Sequence, residues 1–252
     1  MTWVLDCDGV LWLAEAAVPG AANAVAELRA AGQRVVFITN NSSPTVSDSV
    51  NKLQAMGIPA TEADLITSAQ AAASMLEPGA TALVCAGVGV EEAMQRRGVR
   101  IVRTGRADAV VVGFHRDFDF DRLSAAFRAV QSGARLIGTN DDATYPTAAG
   151  PLPGGGAILA AVAYASGAKA EVAGKPFDPM ATLIRERVGP VETVVGDRPS
   201  TDGRLAVRLG ARFALVLSGV TSDRDLPVTP TPDVVGADLS AVVAQLLSPP
   251  AG

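Results

Sequence analysis

The chain has 252 residues, 48% hydrophobic and 19% charged, with 21 Lys and Arg against 26 Asp and Glu for a net charge of −5. At about 150 residues per domain this is one or two domains, and the composition excludes a disordered chain. The acidic balance argues against a partner that is a nucleic acid polymer, because phosphate neutralisation needs a basic face. One histidine, His115, and two cysteines, Cys7 and Cys85, leave no Cys/His zinc site and no disulfide framework, and they fit a reducing compartment.

Residues 1–5 run straight into Asp6 with no basic leader or cleavable apolar stretch, so no signal peptide is expected. Residues 3–5 read as a strand, 21–30 as a helix closed by Gly32, and 35–38 as a buried strand. Ser43-Pro44 reads as the N-cap and first residue of a helix ending near Gly57. Strands are expected at 82–85, 109–112 and 136–137, with helices near 91–97 and 121–132 between them. Then come a helix near 156–165, a helix at 182–188, a strand at 193–195 and a helix at 203–209. A strand at 213–217, a short one at 234–235 and a helix at 239–247 end the chain. Alternating elements with unbroken apolar strands predict an α/β fold whose parallel sheet is covered on both faces.

The longest uncharged run, 143–168, is interrupted by Pro146, Pro151, Pro153 and the Gly154-Gly155-Gly156 triplet. The apolar helix left at 157–165 is too short to cross about 30 Å of hydrocarbon, so a cytoplasmic protein without a membrane partner is expected. Crossings between two domains are placed at 77–79 and 170–174.

Four features follow predicted strands. Asp6-Cys7-Asp8-Gly9-Val10 comes first; residues two apart share a side of an extended chain, so Asp6 and Asp8 are expected to emerge together at the carboxyl edge of the sheet. Two close carboxylates stay ionised only beside a cation, or else one becomes an acid. Gly9 lets backbone amides approach an anion. Thr39-Asn40-Asn41-Ser42 offers a hydroxyl and N–H groups suited to a phosphate, or simply a turn and cap. Gly174-Lys175-Pro176 holds a cation that proline keeps out of a helix, without the spacing of a P-loop. Gly196-Asp197-Arg198-Pro199-Ser200-Thr201-Asp202 adds two carboxylates, of which Asp202 can also be read as a helix cap. Asp6, Asp8, Asp197 and Asp202 together would supply the oxygen ligands that Mg2+ prefers.

The combination resembles the haloacid dehalogenase-like (HAD) superfamily, whose motifs are D-x-D, Ser/Thr, Lys and a paired-Asp G-D motif. D-C-D-G-V-L-W, T-N-N-S-S, G-K-P and G-D-R-P-S-T-D are similar to subfamily IIA, the group of nitrophenyl phosphatases and of phosphoglycolate, glycerol-phosphate and nucleotide phosphatases. Gly138 to Thr147 followed by Pro153-Gly154-Gly155-Gly156-Ala157 is similar to that group's cap loop. The interval from Asp8 to Thr39 holds only a turn, a helix and a strand, whereas that from Thr39 to Lys175 has room for a cap. Two departures stand out: Ser200 replaces a frequent acidic residue and Gly203 a usual aliphatic one.

The resemblance implies a Rossmann-like core of residues 1–77 and 173–252 and an inserted α/β cap of residues 78–172. It implies a phosphomonoester hydrolase for a small phosphorylated metabolite. In it Asp6 is the nucleophile that forms an aspartyl-phosphate and Asp8 the acid and base. Mg2+ is held by Asp6, the Asp8 carbonyl and Asp197, with Asp202 ordering the site. Gly9, Thr39, Asn40 and Lys175 bind phosphate, and Asn140, Asp142 and Tyr145 meet the substrate from the cap; the resemblance also implies a cap that can pair two copies into a homodimer. A dehalogenase would not need Asp8 or Mg2+, and a phosphomutase inserts its cap between the first two motifs. A catalytically idle HAD-like binding or regulatory module would have lost a motif carboxylate or the lysine, and all are present. His115 reads as a loop histidine beside Arg116, Asp117 and Asp119, and Cys7 as a buried structural thiol pointing away from the two acids.

Overall fold

A computed structural model describes residues 1–145, 147 and 150–248. The strand β1 (Thr2–Asp6) leads into a small hairpin, β2 (Trp12–Leu13) and β3 (Ala16–Ala17), then α1 (Ala21–Ala30), β4 (Arg34–Thr39), α2 (Val46–Ala55), β5 (Leu65–Thr67) and α3 (Ser68–Ser74). Next come β6 (Thr81–Cys85), α4 (Val88–Arg96), β7 (Arg100–Val102), β8 (Ala109–Val112), α5 (Phe120–Gln131) and β9 (Arg135–Gly138). A hairpin of β10 (Thr144–Tyr145) and β11 (Leu152–Pro153) precedes α6 (Gly155–Ser166) and β12 (Glu171–Val172). The chain closes with α7 (Asp178–Val188), β13 (Thr193–Gly196), α8 (Arg204–Leu209), β14 (Arg212–Val216), β15 (Val234–Gly236) and α9 (Leu239–Leu247).

Six strands form one sheet in the order β15-β14-β13-β1-β4-β5. Strand β1 pairs in parallel with β4 and β13, and β14 pairs in parallel with β13 and β15. Numbered along the chain within this sheet, the order is the doubly wound 3-2-1-4-5-6 of dinucleotide-binding folds. The order reverses between β1 and β13, aligned as Leu5↔Val195. Loops leaving the carboxyl ends of these two strands diverge, and open α/β sheets bind their ligands in the crevice this creates. Topology therefore singles out Asp6 and Asp197 before any side chain is considered. Every residue of β1 and β13 is buried, which is why both read as unbroken apolar runs.

A second sheet, β12-β9-β8-β6-β7, is parallel throughout. Leu83, Cys85, Val110, Val112 and Leu136 point from it into a core shared with Ala126 and Ala129 of α5 and Ile158, Leu159 and Val162 of α6. The strands of the six-stranded sheet come from residues 1–77 and 173–252, and those of the five-stranded sheet from 78–172. By backbone contacts the chain divides into one compact unit of Met1–Thr39, Val50–Ile66 and Ile184–Gly252, and a second of Asn40–Ser49 and Thr67–Leu183.

The α/β class is as expected, and α1 and α9 occupy the predicted residues. The Asp238 carboxylate starts α9 by accepting from Ala241 N, and Gly32 follows α1 at φ 74°. Some boundaries moved. Helix α2 starts at Val46 rather than at Ser43-Pro44, because Thr45 and Asp48 cap it reciprocally: Thr45 Oγ1 accepts from Asp48 N at 3.1 Å and Asp48 Oδ2 from Thr45 N at 3.2 Å. Helix α3 was not foreseen, since Ser68–Ser74 lacks large apolar residues at helical spacing; a capping box of Thr67 and Gln70 begins it. The expected crossing at 170–174 carries the edge strand β12. Among the described residues no helix is long and apolar enough to cross a membrane; Pro146, one of the expected interruptions, lies outside them.

Candidate active site

At the reversal point of the six-stranded sheet, Asp6, Asp197 and Asp202 converge. All three are buried, and each contributes a carboxylate oxygen within 4.8 Å of the others. Asp6 ends β1, Asp197 follows β13, and Asp202 lies in a single π-helical turn, Pro199–Gly203, that leads into α8. Backbone amides steady them: Asp6 Oδ1 accepts from Cys7 N at 2.8 Å, Asp197 Oδ2 from Val220 N at 2.6 Å and Asp202 Oδ2 from Arg198 N at 3.1 Å. Asp202 is not the cap of α8, whose N-cap position is Gly203. Three buried carboxylates at this spacing repel one another unless a cation or protons compensate. The departure at Gly203 has a steric cause, since a Cβ there would stand 2.8 Å from the Phe213 ring and from Pro230.

Gly9 meets two demands that a side chain could not. Its φ is 82°, and a Cβ would overlap the Asp197 carboxylate. The Gly9 carbonyl accepts from Ser218 Oγ at 2.6 Å. Ser218 and Val220, from the loop after β14, thus brace this cluster, and sequence reasoning passed over them. Their one sequence signal is a Ser-Gly pair directly after a predicted strand.

The carboxylate of Asp8 is not part of the cluster. The strand ends at Asp6, so the alternation that would place both acids together does not extend to Asp8. Instead Asp8 Oδ1 accepts from the Trp12 indole Nε1 at 3.0 Å, and Lys52 Nζ lies 4.8 Å from the Trp12 ring centroid. Cys7 is fully buried between the two acids. Thr39, also buried, ends β4 one residue beyond Ile38, the partner of Asp6 in the sheet.

In the second unit Asn40 organises Lys175, a residue only 2% exposed. Asn40 Oδ1 accepts from Lys175 N at 2.8 Å, and its Nδ2 donates to Lys175 O at 3.2 Å and to Asp142 Oδ2 at 3.0 Å. The Asn40 side chain is therefore engaged with protein groups on Lys175 and Asp142. Asn140 Nδ2 donates to Asn40 O at 2.7 Å, and Asn140 Oδ1 accepts from Asp142 N at 3.2 Å. Tyr145 stacks on Phe114 with centroids 4.9 Å apart, and its hydroxyl accepts from Asn41 Nδ2 at 3.3 Å. Partial desolvation, reinforced by the Asp142 charge, raises the pKa of the neighbouring Asp141. His115 lies in the loop after β8, as read from the sequence, and is buried there: Nδ1 lies 3.0 Å from Gly113 O, Nε2 3.9 Å from Cys85 Sγ, and the ring meets Phe118 edge-on.

Comparison with known proteins places this arrangement. A family profile described as haloacid dehalogenase-like hydrolase matches residues 3–100, and a HAD-hydrolase-like profile matches residues 172–242. The chain is 34% identical over 250 residues to a D-glycerol 3-phosphate phosphatase of Mycobacterium tuberculosis, covering 95% of this chain and 70% of that protein. It is 29% identical over 251 residues to an acid sugar phosphatase of Staphylococcus aureus, covering 97% of each. Its structure matches the Mycobacterium tuberculosis glycerol phosphate phosphatase solved with magnesium at a TM-score of 0.89, with 33% identity over 96% of this chain and 75% of that one. It matches a p-nitrophenyl phosphatase from Archaeoglobus fulgidus at 0.89, with 28% identity over 97% and 98%. With these likenesses spanning nearly its whole length, the chain belongs to the haloacid dehalogenase-like hydrolases, as a phosphatase of subfamily IIA.

Proposed function

We propose that this phosphatase is Mg2+-dependent and hydrolyses a small phosphomonoester through an aspartyl-phosphate on Asp6. The observation that carries the proposal is the buried convergence of Asp6, Asp197 and Asp202 within 4.8 Å at the reversal point of the sheet. An all-oxygen set of three carboxylates fits Mg2+, which binds through few carboxylates and keeps its remaining positions for water and phosphate. Asp6, Asp197, Asp202 and the Asp8 carbonyl would hold the ion. When bound, it supplies charge neutralisation at the phosphoryl group.

The protein's own residues do the rest. A carboxylate oxygen of Asp6 attacks phosphorus, forming a P–O bond as the ester P–O bond breaks. Asp8 gives its proton to the departing alkoxide, then takes one from the water that attacks the acyl phosphate, returning Asp6 as a carboxylate and releasing inorganic phosphate. Thr39, the Gly9 and Asn40 main chain, and Lys175 are the phosphate-binding groups of this reading, and each would lower the barrier by offsetting phosphoryl charge.

The substrate class is a sugar or polyol phosphate, phosphoglycolate or a nucleoside monophosphate, with Asn140, Asp142 and Tyr145 as its contacts. The names of the glycerol and sugar phosphatase relatives support the polyol and sugar end of that range. The catalytic core is residues 1–77 and 173–252, and the cap is residues 78–172. A cytoplasmic location and a homodimer formed through the cap complete the proposal. The location is supported by the presence of just two cysteines, one in each compact unit.

The test is a panel of phosphomonoesters assayed with Mg2+ and with chelator. Hydrolysis of at least one small substrate that stops on chelation is the expected result. Equal turnover with and without the metal would overturn the metal-dependent mechanism.

A further inference from the structure

We propose that Trp12 is a positioning residue for Asp8, its indole N–H fixing which carboxyl oxygen carries the proton that is transferred. The inference rests on Asp8 being the acid and base of the reaction, and it assigns a role to Trp12, the last residue of the D-C-D-G-V-L-W stretch.

The terminal torsion of an aspartate is broad and nearly two-fold, so an unanchored carboxyl presents either oxygen with similar ease. An indole N–H can only donate. Its bond to Asp8 Oδ1, at 3.0 Å, makes Oδ1 the accepting oxygen and assigns the transferable proton to Oδ2. Anchoring removes an orientational search that the transition state would otherwise have to make.

The anchor is itself held from several sides. Trp12 is 5% exposed. Its carbonyl accepts from Gly9 N at 2.7 Å and its own N–H donates to Cys7 O at 3.3 Å, so the indole returns to Asp8 across a closed turn only four residues long. Trp12 also begins the small hairpin, paired with Ala17. Lys52 lies over the ring while its Nζ donates to Ala14 O at 2.7 Å, on the turn of the same hairpin. A ring braced by a hairpin, a turn and a cation is a rigid support for one hydrogen bond. Burial alone would be served as well by Phe or Leu; the bond to Asp8 needs the indole nitrogen.

The discriminating measurement is the dependence on leaving group. A nitrophenolate departs readily without a proton, whereas an alkoxide needs one, so a misplaced acid harms alkyl substrates selectively. The quantity read is kcat/KM for p-nitrophenyl phosphate and for glycerol phosphate with Mg2+, which reports the step that breaks the ester bond. Trp12→Phe keeps a ring and removes the donor. It is expected to lower the glycerol phosphate value about tenfold more than the nitrophenyl value, a part of the general-acid contribution. Site-specific benzothienylalanine at position 12, which swaps N–H for sulfur in the same shape, should reproduce the selectivity even if the Phe variant folds poorly. Asp8→Asn is the reference and should show the same selectivity more strongly. Equal losses on both substrates for the two Trp12 variants, with Asp8→Asn selective, would reduce Trp12 to packing and overturn the proposal. An unselective Asp8→Asn would remove the acid role of Asp8, and the proposal with it.

Discussion

The side chain of Asn40 grips the main chain of Lys175 from both sides, accepting from its N–H at 2.8 Å and donating to its carbonyl at 3.2 Å. The same amide reaches the Asp142 carboxylate at 3.0 Å. One residue thus sets the backbone of the buried lysine and ties it to the loop that carries Asp142. Asn40→Ala leaves several polar groups without these partners, each worth about 1–3 kcal/mol when buried. The expected outcome is a lower urea midpoint together with a reduced kcat/KM. A variant with unchanged midpoint and turnover would show that the grip is dispensable.

In the proposed mechanism, Asp6→Asn removes the nucleophile while keeping the shape of the side chain. Turnover of an aryl phosphate should fall by about 10³-fold or more, given that a single stabilising donor is already worth 10²–10³. Circular dichroism should show the fold retained. Wild-type-like turnover by this variant would take the nucleophile's role away from Asp6.

The three clustered carboxylates also make metal binding a stability statement. An ion at 100 times its Kd stabilises the folded state by about 2.7 kcal/mol. Mg2+ should therefore raise the melting temperature of the wild type, and Asp197→Asn should lose most of that response. An equal shift in both proteins would place the ion elsewhere.

Gly9 and Gly32 provide a matched pair, at φ 82° and 74°. Nothing lies within 4 Å of a Cβ at Gly32, whereas one at Gly9 would overlap Asp197. Gly32→Ala should cost only the left-handed strain of about 1–2 kcal/mol, with activity kept. Gly9→Ala should abolish activity and the thermal response to Mg2+. Comparable activity in the two variants would contradict the close approach of Gly9 to Asp197.

Burial pushes the Cys85 thiol up to about 11, so at pH 8 it is almost wholly protonated and the reactive thiolate is scarce. Cys7 is fully buried as well. Ellman's reagent at pH 8 should label neither cysteine in the native protein and both after unfolding in guanidinium. A rapidly labelled native thiol would show that one of these cores opens readily.

Much of this protein was determined locally. Residues 3–5, 109–112 and 193–195 announce themselves as strands because both faces of each are buried, so no polar alternation interrupts them. The helix at 239–247 was legible from its apolar run, and Asp238 caps it. The acids and lysine of the motifs were visible as chemistry at strand ends. What the chain order could not decide was adjacency and direction. The neighbours of β1 come from residues 34–39 and 193–196, and only the packing of whole strands brings Leu5 opposite Val195. Asp6 and Asp8 look alike in D-C-D, yet the end of β1 sends one carboxylate to Asp197 and Asp202 and the other to the Trp12 indole. Asn40 and Asn41 sit side by side in a polar turn, but one holds Lys175 and the other Tyr145, because each amide goes to the donors and acceptors the tertiary structure delivers. Composition and spacing specify which groups are available; long-range pairing and the need to satisfy buried polar atoms decide where each one points.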